Sequence, residues 1–204
     1  MIILGERGTG KEQMAQMLYS QGKYRANPLC IIDCPLLQDK GWSYLMESDS
    51  SPLLKDGNAF HFKQIDALTP ERYLQLFSLL RDINFHRRNQ LLFTVSTSSA
   101  ETMPDWVSQI AGWFSCSIIT LPLLREHRDD IPHLATLYIS SLNARNAREI
   151  ASVDADALQM LKDYGWPANY DQFKRVLRDM VLETEGISVK AELVSRLLEK
   201  ESML

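Results

Sequence analysis

Residues 2–12 read Ile2-Ile3-Leu4-Gly5-Glu6-Arg7-Gly8-Thr9-Gly10-Lys11-Glu12. Gly5, Gly10 and Lys11 satisfy the G-x-x-x-x-G-K pattern of a phosphate-binding loop. The apolar run Ile2–Leu4 predicts a strand leading in, and Met14, Met17 and Leu18 predict a helix leading out. That context gives the motif its chemistry. Glycines let backbone N–H groups curl around phosphate oxygens, and the helix starting near Lys11 adds the positive end of its dipole. Lys11 would reach the terminal phosphates as a mobile point charge. The candidate phosphate-binding residues are Gly5, Glu6, Arg7, Gly8, Thr9, Gly10, Lys11 and Glu12. The alternative is a glycine-rich turn that holds no ligand. Glu12 departs from the general pattern, which wants a Ser or Thr hydroxyl there to hold magnesium.

Working outward, short apolar runs alternate with helical stretches through the first two thirds of the chain. Strands are expected at Ile2–Leu4, Leu29–Asp33, Ala59–Lys63, Leu91–Ser96 and Ser117–Leu121. Helices are expected at Lys11–Gln21 and Glu71–Asn84. Thr69 can cap the second, Pro70 suits its first position, and Tyr73, Leu74, Leu76, Phe77 and Leu80 form its buried stripe. Strands alternating with helices predict a parallel sheet covered on both faces, with the loop at the carboxyl end of the first strand. From Pro35 to Pro52 only a short helical turn, around Gly41–Met46, and a polar loop are expected.

After Pro122 no further strand is expected. Ile131–Asn146, Asp154–Tyr164, Tyr170–Thr184 and Lys190–Glu199 read as helices, the last with Leu193, Val194, Leu197 and Leu198 as its core face. Pro132 sits in a first turn and Gly165 follows a helix as a stop signal. The expected organisation is an α/β core over residues 1–126 and a small helical subdomain over residues 127–204.

The bulk numbers narrow the function classes. A net charge of -4 gives no global pull toward nucleic acid, so DNA contact would need a local patch or another domain. No apolar run reaches ~18 residues, which predicts no membrane span. Cys30, Cys34 and Cys116 are an odd count that suits a reducing cytoplasm. A phosphate loop that starts at residue 5 lacks the preceding residues that would cover a nucleotide base, so an excised fragment or a truncated domain is expected.

Three segments together resemble a known family. Gly5–Glu12 resembles the Walker A loop of AAA+ domains in sigma-54-dependent transcriptional activators (bacterial enhancer-binding proteins), which ends in Lys-Glu. Leu121-Pro122-Leu123-Leu124-Arg125-Glu126-His127-Arg128-Asp129-Asp130-Ile131-Pro132 is similar to the family's L-P-P-L-R-E-R-x-x-D-I-P linker. Tyr164-Gly165-Trp166-Pro167-Ala168-Asn169 is similar to its Y-x-W-P-G-N turn. Their order across nearly the whole chain makes the match specific. The resemblance implies a P-loop AAA+ parallel-sheet core with a helical lid, ATP or ADP as ligand, and cytoplasmic location. It also implies homo-oligomerisation, RNA polymerase or a sigma factor as partner, and DNA contact through a separate domain.

Family members hydrolyse ATP and remodel polymerase with a G-A-F-T-G-A hairpin, and here the resemblance breaks at each working part. Where Walker B should end in Asp-Glu stand Lys63 and Gln64; a Lys repels magnesium and a Gln is no base. A shifted alignment would offer Asp66 instead. No G-A-F-T-G-A lies between Pro35 and Pro52. The family's Asn after the fourth strand falls at Thr97, its two trans-acting arginines near Val107 and Trp113, and its lid arginine at Asp171, with Lys174 and Arg175 nearby. An arginine finger is worth ~10³–10⁵ in rate. The expectation is a degenerate AAA+ domain of a transcriptional regulator that binds nucleotide or acts in structure and oligomerisation, with little or no ATPase activity. Two alternatives stay open: an ATPase rewired around Lys63, and a scaffold that binds no nucleotide.

Overall fold

The computed structural model describes residues 1–97 and 103–203. It divides into two compact units: Met1–Glu6 with Gly10–Leu121, and Arg7–Thr9 with Pro122–Leu204.

In the first unit the strands are β1 (Ile2–Gly5), β2 (Leu29–Asp33), β3 (Ala59–Lys63), β4 (Gln90–Ser96) and β5 (Ile118–Thr120). They form a sheet in the order β2-β3-β4-β1-β5, with every neighbouring pair parallel. Parallel neighbours require crossovers, and helices supply them: α1 (Lys11–Ser20), α2 (Asp39–Glu47), α3 (Pro70–Asp82), α4 (Phe85–Arg88) and α5 (Asp105–Phe114).

The strands alternate their side chains between two cores. Ile2 and Leu4 join Phe60, Phe62, Phe93, Leu76, Phe77, Val107 and Ile110 on one face. Ile3 joins Ala15 and Leu92 on the other, beneath α1. Both faces of β1 are thus dry, which fixes the position of the loop that follows it. Phe77, Phe93 and Phe114 meet at ring-centroid distances of 5.4, 5.9 and 6.1 Å. Phe114 therefore belongs to the core of this unit, and Trp113 lies beneath the Arg81 guanidinium, 5.6 Å from its ring centroid.

The strand expectations hold to within about a residue, one helical expectation needs correction, and the helix before β5 was not expected. Gly41–Met46 is no single turn: Asp39–Glu47 is a nine-residue helix whose buried residues are Trp42 and Leu45. Asp105–Phe114 is a helix that periodicity had not singled out. In α3 Thr69 does cap, accepting a hydrogen bond from Arg72 N at 3.3 Å, and Pro70 opens the helix. Leu74, however, is exposed rather than part of the buried stripe. Within residues 34–58 there is α2 and a pair of short 3₁₀ turns, with no strand.

The second unit holds α6 (Ile131–Asn146), α7 (Ala155–Asp163), α8 (Asn169–Glu183) and α9 (Ala191–Ser202). Their apolar stripes close one core around the fully buried Trp166, whose Nε1 donates to Leu161 O at 2.8 Å. Val194, Leu197 and Leu198 are buried there, with Leu193 at the margin. A correction concerns strands: β6 (Ser152–Val153) and β7 (Ser188–Val189) pair in parallel, each too short to show alternation.

Candidate functional site

The loop Gly5–Glu12 connects β1 to α1. Gly8 has φ +79 and Gly10 φ +90, backbone that side chains strongly disfavour. At Gly8 the requirement is double, because a Cβ would lie 2.0 Å from the Ala168 carbonyl oxygen. Gly10 is the N-cap of α1 and supplies no side-chain acceptor, and the first backbone bond of the helix runs from Met14 N to Gly10 O. Helix geometry leaves the amides of the first turn without intrahelical acceptors, so this end presents donors and positive potential.

Lys11 is buried, with its Nζ donating to Gly5 O at 2.9 Å and Glu6 O at 2.7 Å. The ammonium is thereby folded into the concavity of its own loop. The geometry brings glycines, uncapped helix end and lysine together, as an anion cradle requires. Arg7 is exposed, and Glu6 and Thr9 are buried.

Glu12 continues the site toward the ends of β2 and β3. The sheet register sets Asp33 directly opposite Lys63. Lys63 Nζ donates to Asp33 Oδ2 at 2.8 Å and lies 3.9 Å from Glu12 Oε2. The bond to Asp33 is the chief reason the Lys63 pKa is raised, so the ammonium is held charged. Burial is the chief reason the Glu12 pKa is raised, with Lys63 opposing it. Asp33 is therefore the close partner of Lys63, and Glu12 the looser one. Thr94, wholly buried, donates to Glu12 Oε1 at 3.4 Å and accepts from Gln64 N at 3.1 Å.

His61 faces the same carboxylate, its Nε2 3.7 Å from Glu12 Oε2. Burial, and secondarily the Lys63 charge, depress its pKa to about 4, so it is neutral at pH 7 and forms no ion pair. Its Nε2 has no hydrogen-bond partner. Sequence reading missed Asp33, Thr94 and His61. Asp33 was discoverable only with the β2–β3 register, and Thr94 and His61 lie inside strands that read as apolar runs.

The other positions expected to matter are placed elsewhere. Asp66 Oδ1 accepts from Ser96 N at 2.8 Å, a bond that ties a turn to the end of β4. Val107 is core, and Thr97 N donates to Gly5 O at 3.2 Å. Arg175 is engaged with Glu201: its Nε donates to Oε1 at 2.7 Å, and its Nη2 also bonds the carboxylate. That pair lowers the Glu201 pKa, with Gln172 Nε2 adding a bond at 3.1 Å. Asp171 lies in the first turn of α8.

In the second unit Asn169 is wholly buried in left-handed backbone (φ +48). Its Oδ1 accepts from Leu124 N and its Nδ2 donates to Arg7 O, both at 3.0 Å. One side chain thus ties the tip of the phosphate loop and the linker segment to the start of α8.

The side chains here do not by themselves make a divalent-ion site. Among the described residues no group of three or more His, Cys, Asp or Glu could hold a metal. The two carboxylates nearest the loop, Asp33 and Glu12, already face an ammonium. Amide donors of the first helical turn and the Lys11 ammonium are the chemistry that a polyphosphate requires.

Comparison with known proteins agrees with this geometry at both ends of the chain. A model of the sigma-54 interaction domain matches residues 1–49, and a model of the AAA+ ATPase lid domain matches residues 125–203. The transcriptional regulatory protein ZraR of Klebsiella oxytoca is 24% identical over 91% of this chain and 47% of its own length. The formate hydrogenlyase transcriptional activator FhlA of Escherichia coli K12 is 25% identical over 91% of this chain and 30% of its own. This chain therefore spans half or less of these relatives. Crystal structures of NtrX from Brucella abortus with ADP and with ATP superpose with a TM-score of 0.76, at 16% and 13% identity. They cover 94% and 98% of this chain, and 48% and 52% of NtrX. RuvB of Thermotoga maritima superposes with a TM-score of 0.60 at 16% identity, covering 98% of this chain and 61% of RuvB. The fold is the P-loop AAA+ fold, and the chain resembles the AAA+ domains of sigma-54-dependent activators. No described helix is long and apolar enough to cross a membrane.

Proposed function

We propose that this sigma-54-activator-like AAA+ domain binds ATP or ADP through Gly5–Glu12 and does not hydrolyse it at a useful rate. The observation that carries the reading is Lys63, whose ammonium stands 2.8 Å from Asp33 and 3.9 Å from Glu12 at the end of β3. A hydrolytic site needs there a carboxylate for the metal and another to draw a proton from water. This chain has instead Lys63 and Gln64, and the backbone of Gln64 is anchored by Thr94. The Asp66 rescue is disfavoured because its carboxylate oxygen caps Ser96. Compensation by Arg175 is disfavoured because Glu201 holds it.

Losing hydrolysis leaves two uses for a nucleotide: it can stabilise the domain, and it can report cellular nucleotide levels to domains joined to it. A ligand at 100 times its Kd adds about 2.7 kcal/mol to the stability of what it binds. In a longer cytoplasmic regulator, the domain would act as a nucleotide-responsive or oligomerising module beside a DNA-binding domain. Residues 34–58 form α2 and turns, with no G-A-F-T-G-A sequence, which argues against remodelling of sigma-54 polymerase.

The test is a titration with a fluorescent ATP analogue, beside Lys11→Ala, followed by a phosphate-release assay. The expected result is saturable binding that the variant loses, with phosphate release no faster than in the variant. Turnover near the ~10 s⁻¹ typical of enzymes, lost in Lys11→Ala, would overturn the reading. A folded wild-type domain that binds nothing would reduce it to a scaffold.

A further inference from the structure

The carboxylates beside the phosphate loop are already neutralised, and by a side chain. Glu12 and Asp33 contribute two negative charges, and Lys63 sits between them while Lys11 lies in the loop itself. His61, the remaining titratable group facing Glu12, is buried and neutral at pH 7. The second oxygen of Glu12 is occupied by the Thr94 hydroxyl at 3.4 Å. A divalent ion entering here would meet two ammonium charges and find each nearby carboxylate already engaged. It would also dehydrate reluctantly for so few oxygen ligands.

Lys63 is not sealed in. Its side chain is 27% exposed and Glu12 is 44% exposed, so the ammonium borders solvent next to the first turn of α1. An ammonium carries three donors, and a Lys stem is long and flexible enough to turn toward an oxyanion while remaining near Asp33. Glu12 follows Lys11 directly in α1, and its carboxylate lies 3.9 Å from the Lys63 ammonium.

We propose that Lys63 is a built-in cation at the phosphate loop, so that this domain binds the polyphosphate of a nucleotide without magnesium. The proposal rests on the reading that Gly5–Glu12 binds nucleotide, and its test separates the two. Binding of ATP to the intact chain would be measured by calorimetry in EDTA and in excess magnesium, for wild type, Lys63→Ala, Lys63→Arg and Lys11→Ala. Circular dichroism would confirm that each is folded.

The expected wild-type affinity in EDTA equals or exceeds that in magnesium. Lys63→Ala should weaken binding in EDTA about tenfold or more, a change of about 1.4 kcal/mol, while Lys63→Arg retains most of it. Wild-type binding that requires magnesium would overturn the built-in cation and leave the nucleotide reading intact. So would a folded Lys63→Ala that binds as tightly as wild type in EDTA. Absence of binding in either condition would remove the nucleotide reading and this proposal with it.

Discussion

Replacing Asn169 by Ala should destabilise the second unit by about 2.5–6.5 kcal/mol, and the structure says where that cost arises. Leu124 is wholly buried and its backbone N–H donates to Asn169 Oδ1 at 3.0 Å. Deleting the acceptor strands that amide away from water, at about 1–3 kcal/mol. Ala must also adopt φ +48, which Asn tolerates and Ala does not, at about 1–2 kcal/mol. Losing the bond to Arg7 O at 3.0 Å adds less, about 0.5–1.5 kcal/mol, because Arg7 is exposed and its carbonyl can recruit water. Asn169→Gly separates these contributions. It loses the same hydrogen bonds but accepts left-handed backbone, so it should be less damaging than Ala by about 1 kcal/mol. Urea unfolding followed by far-UV circular dichroism, dominated by the helices, reads both as shifts in midpoint at constant slope. An Ala variant within about 0.5 kcal/mol of wild type would refute the buried-amide argument. A Gly variant as costly as Ala would refute the backbone argument.

Two further outcomes follow from buried groups of the first unit. Burial holds His61 near pKa 4 in the folded chain, against about 6.5 unfolded. Below pH 6.5 the unfolded chain therefore takes up a proton that the folded one refuses. Stability falls from about pH 6.5 to about pH 4, by up to about 3 kcal/mol, and is insensitive to this residue above that window. The urea midpoint of His61→Gln should drop less steeply over that window, and an identical slope in both proteins would contradict the assignment. Cys34 is 5% exposed and its thiol is pushed up to about 12, chiefly by burial. Mass spectrometry after iodoacetamide treatment at neutral pH should find Cys34 unlabelled until urea is added; labelling of the native protein would show that the loop after β2 opens readily.

What the sequence disclosed about the fold was what its periodicity carries. The strands read as apolar runs because both faces of the parallel sheet are covered, and α8 and α9 as amphipathic repeats because one stripe meets one core. Asp39–Glu47 read as a single turn because it buries only Trp42 and Leu45, and Gly41 weakens the helical signal in its first turn. In Asp105–Phe114 the signal was present, in the spacing of Val107, Ile110 and Phe114, but Gly112 and a nearly uncharged surface obscure it. The strands β6 and β7 were out of reach, since two residues define no alternation and their pairing spans 36 positions, from Ser152 to Ser188.

The site shows a sharper division. Under the proposed reading, Lys63 and Gln64 occupy the positions where the resemblance expects Asp-Glu, and they are visible without coordinates because a motif specifies positions along the chain. Why a lysine is tolerated there is not a property of the motif. It depends on the parallel register that sets Asp33 across from Lys63, and on Glu12 reaching the same ammonium from the first turn of α1. A lysine alone at the end of β3 would leave a partly buried charge without a carboxylate partner. With Asp33 at 2.8 Å and Glu12 at 3.9 Å it has two, so the substitution costs the fold little while changing what the site can hold. Reverting Lys63 alone to Asp would place three carboxylates in that space. It should therefore cost stability in EDTA and recover some on adding magnesium, whereas Lys63→Asp combined with Asp33→Asn should escape most of the loss. If the single reversion is as stable as wild type in EDTA, Lys63 is not balancing these carboxylates, and the charge argument behind the proposed magnesium-free site is wrong.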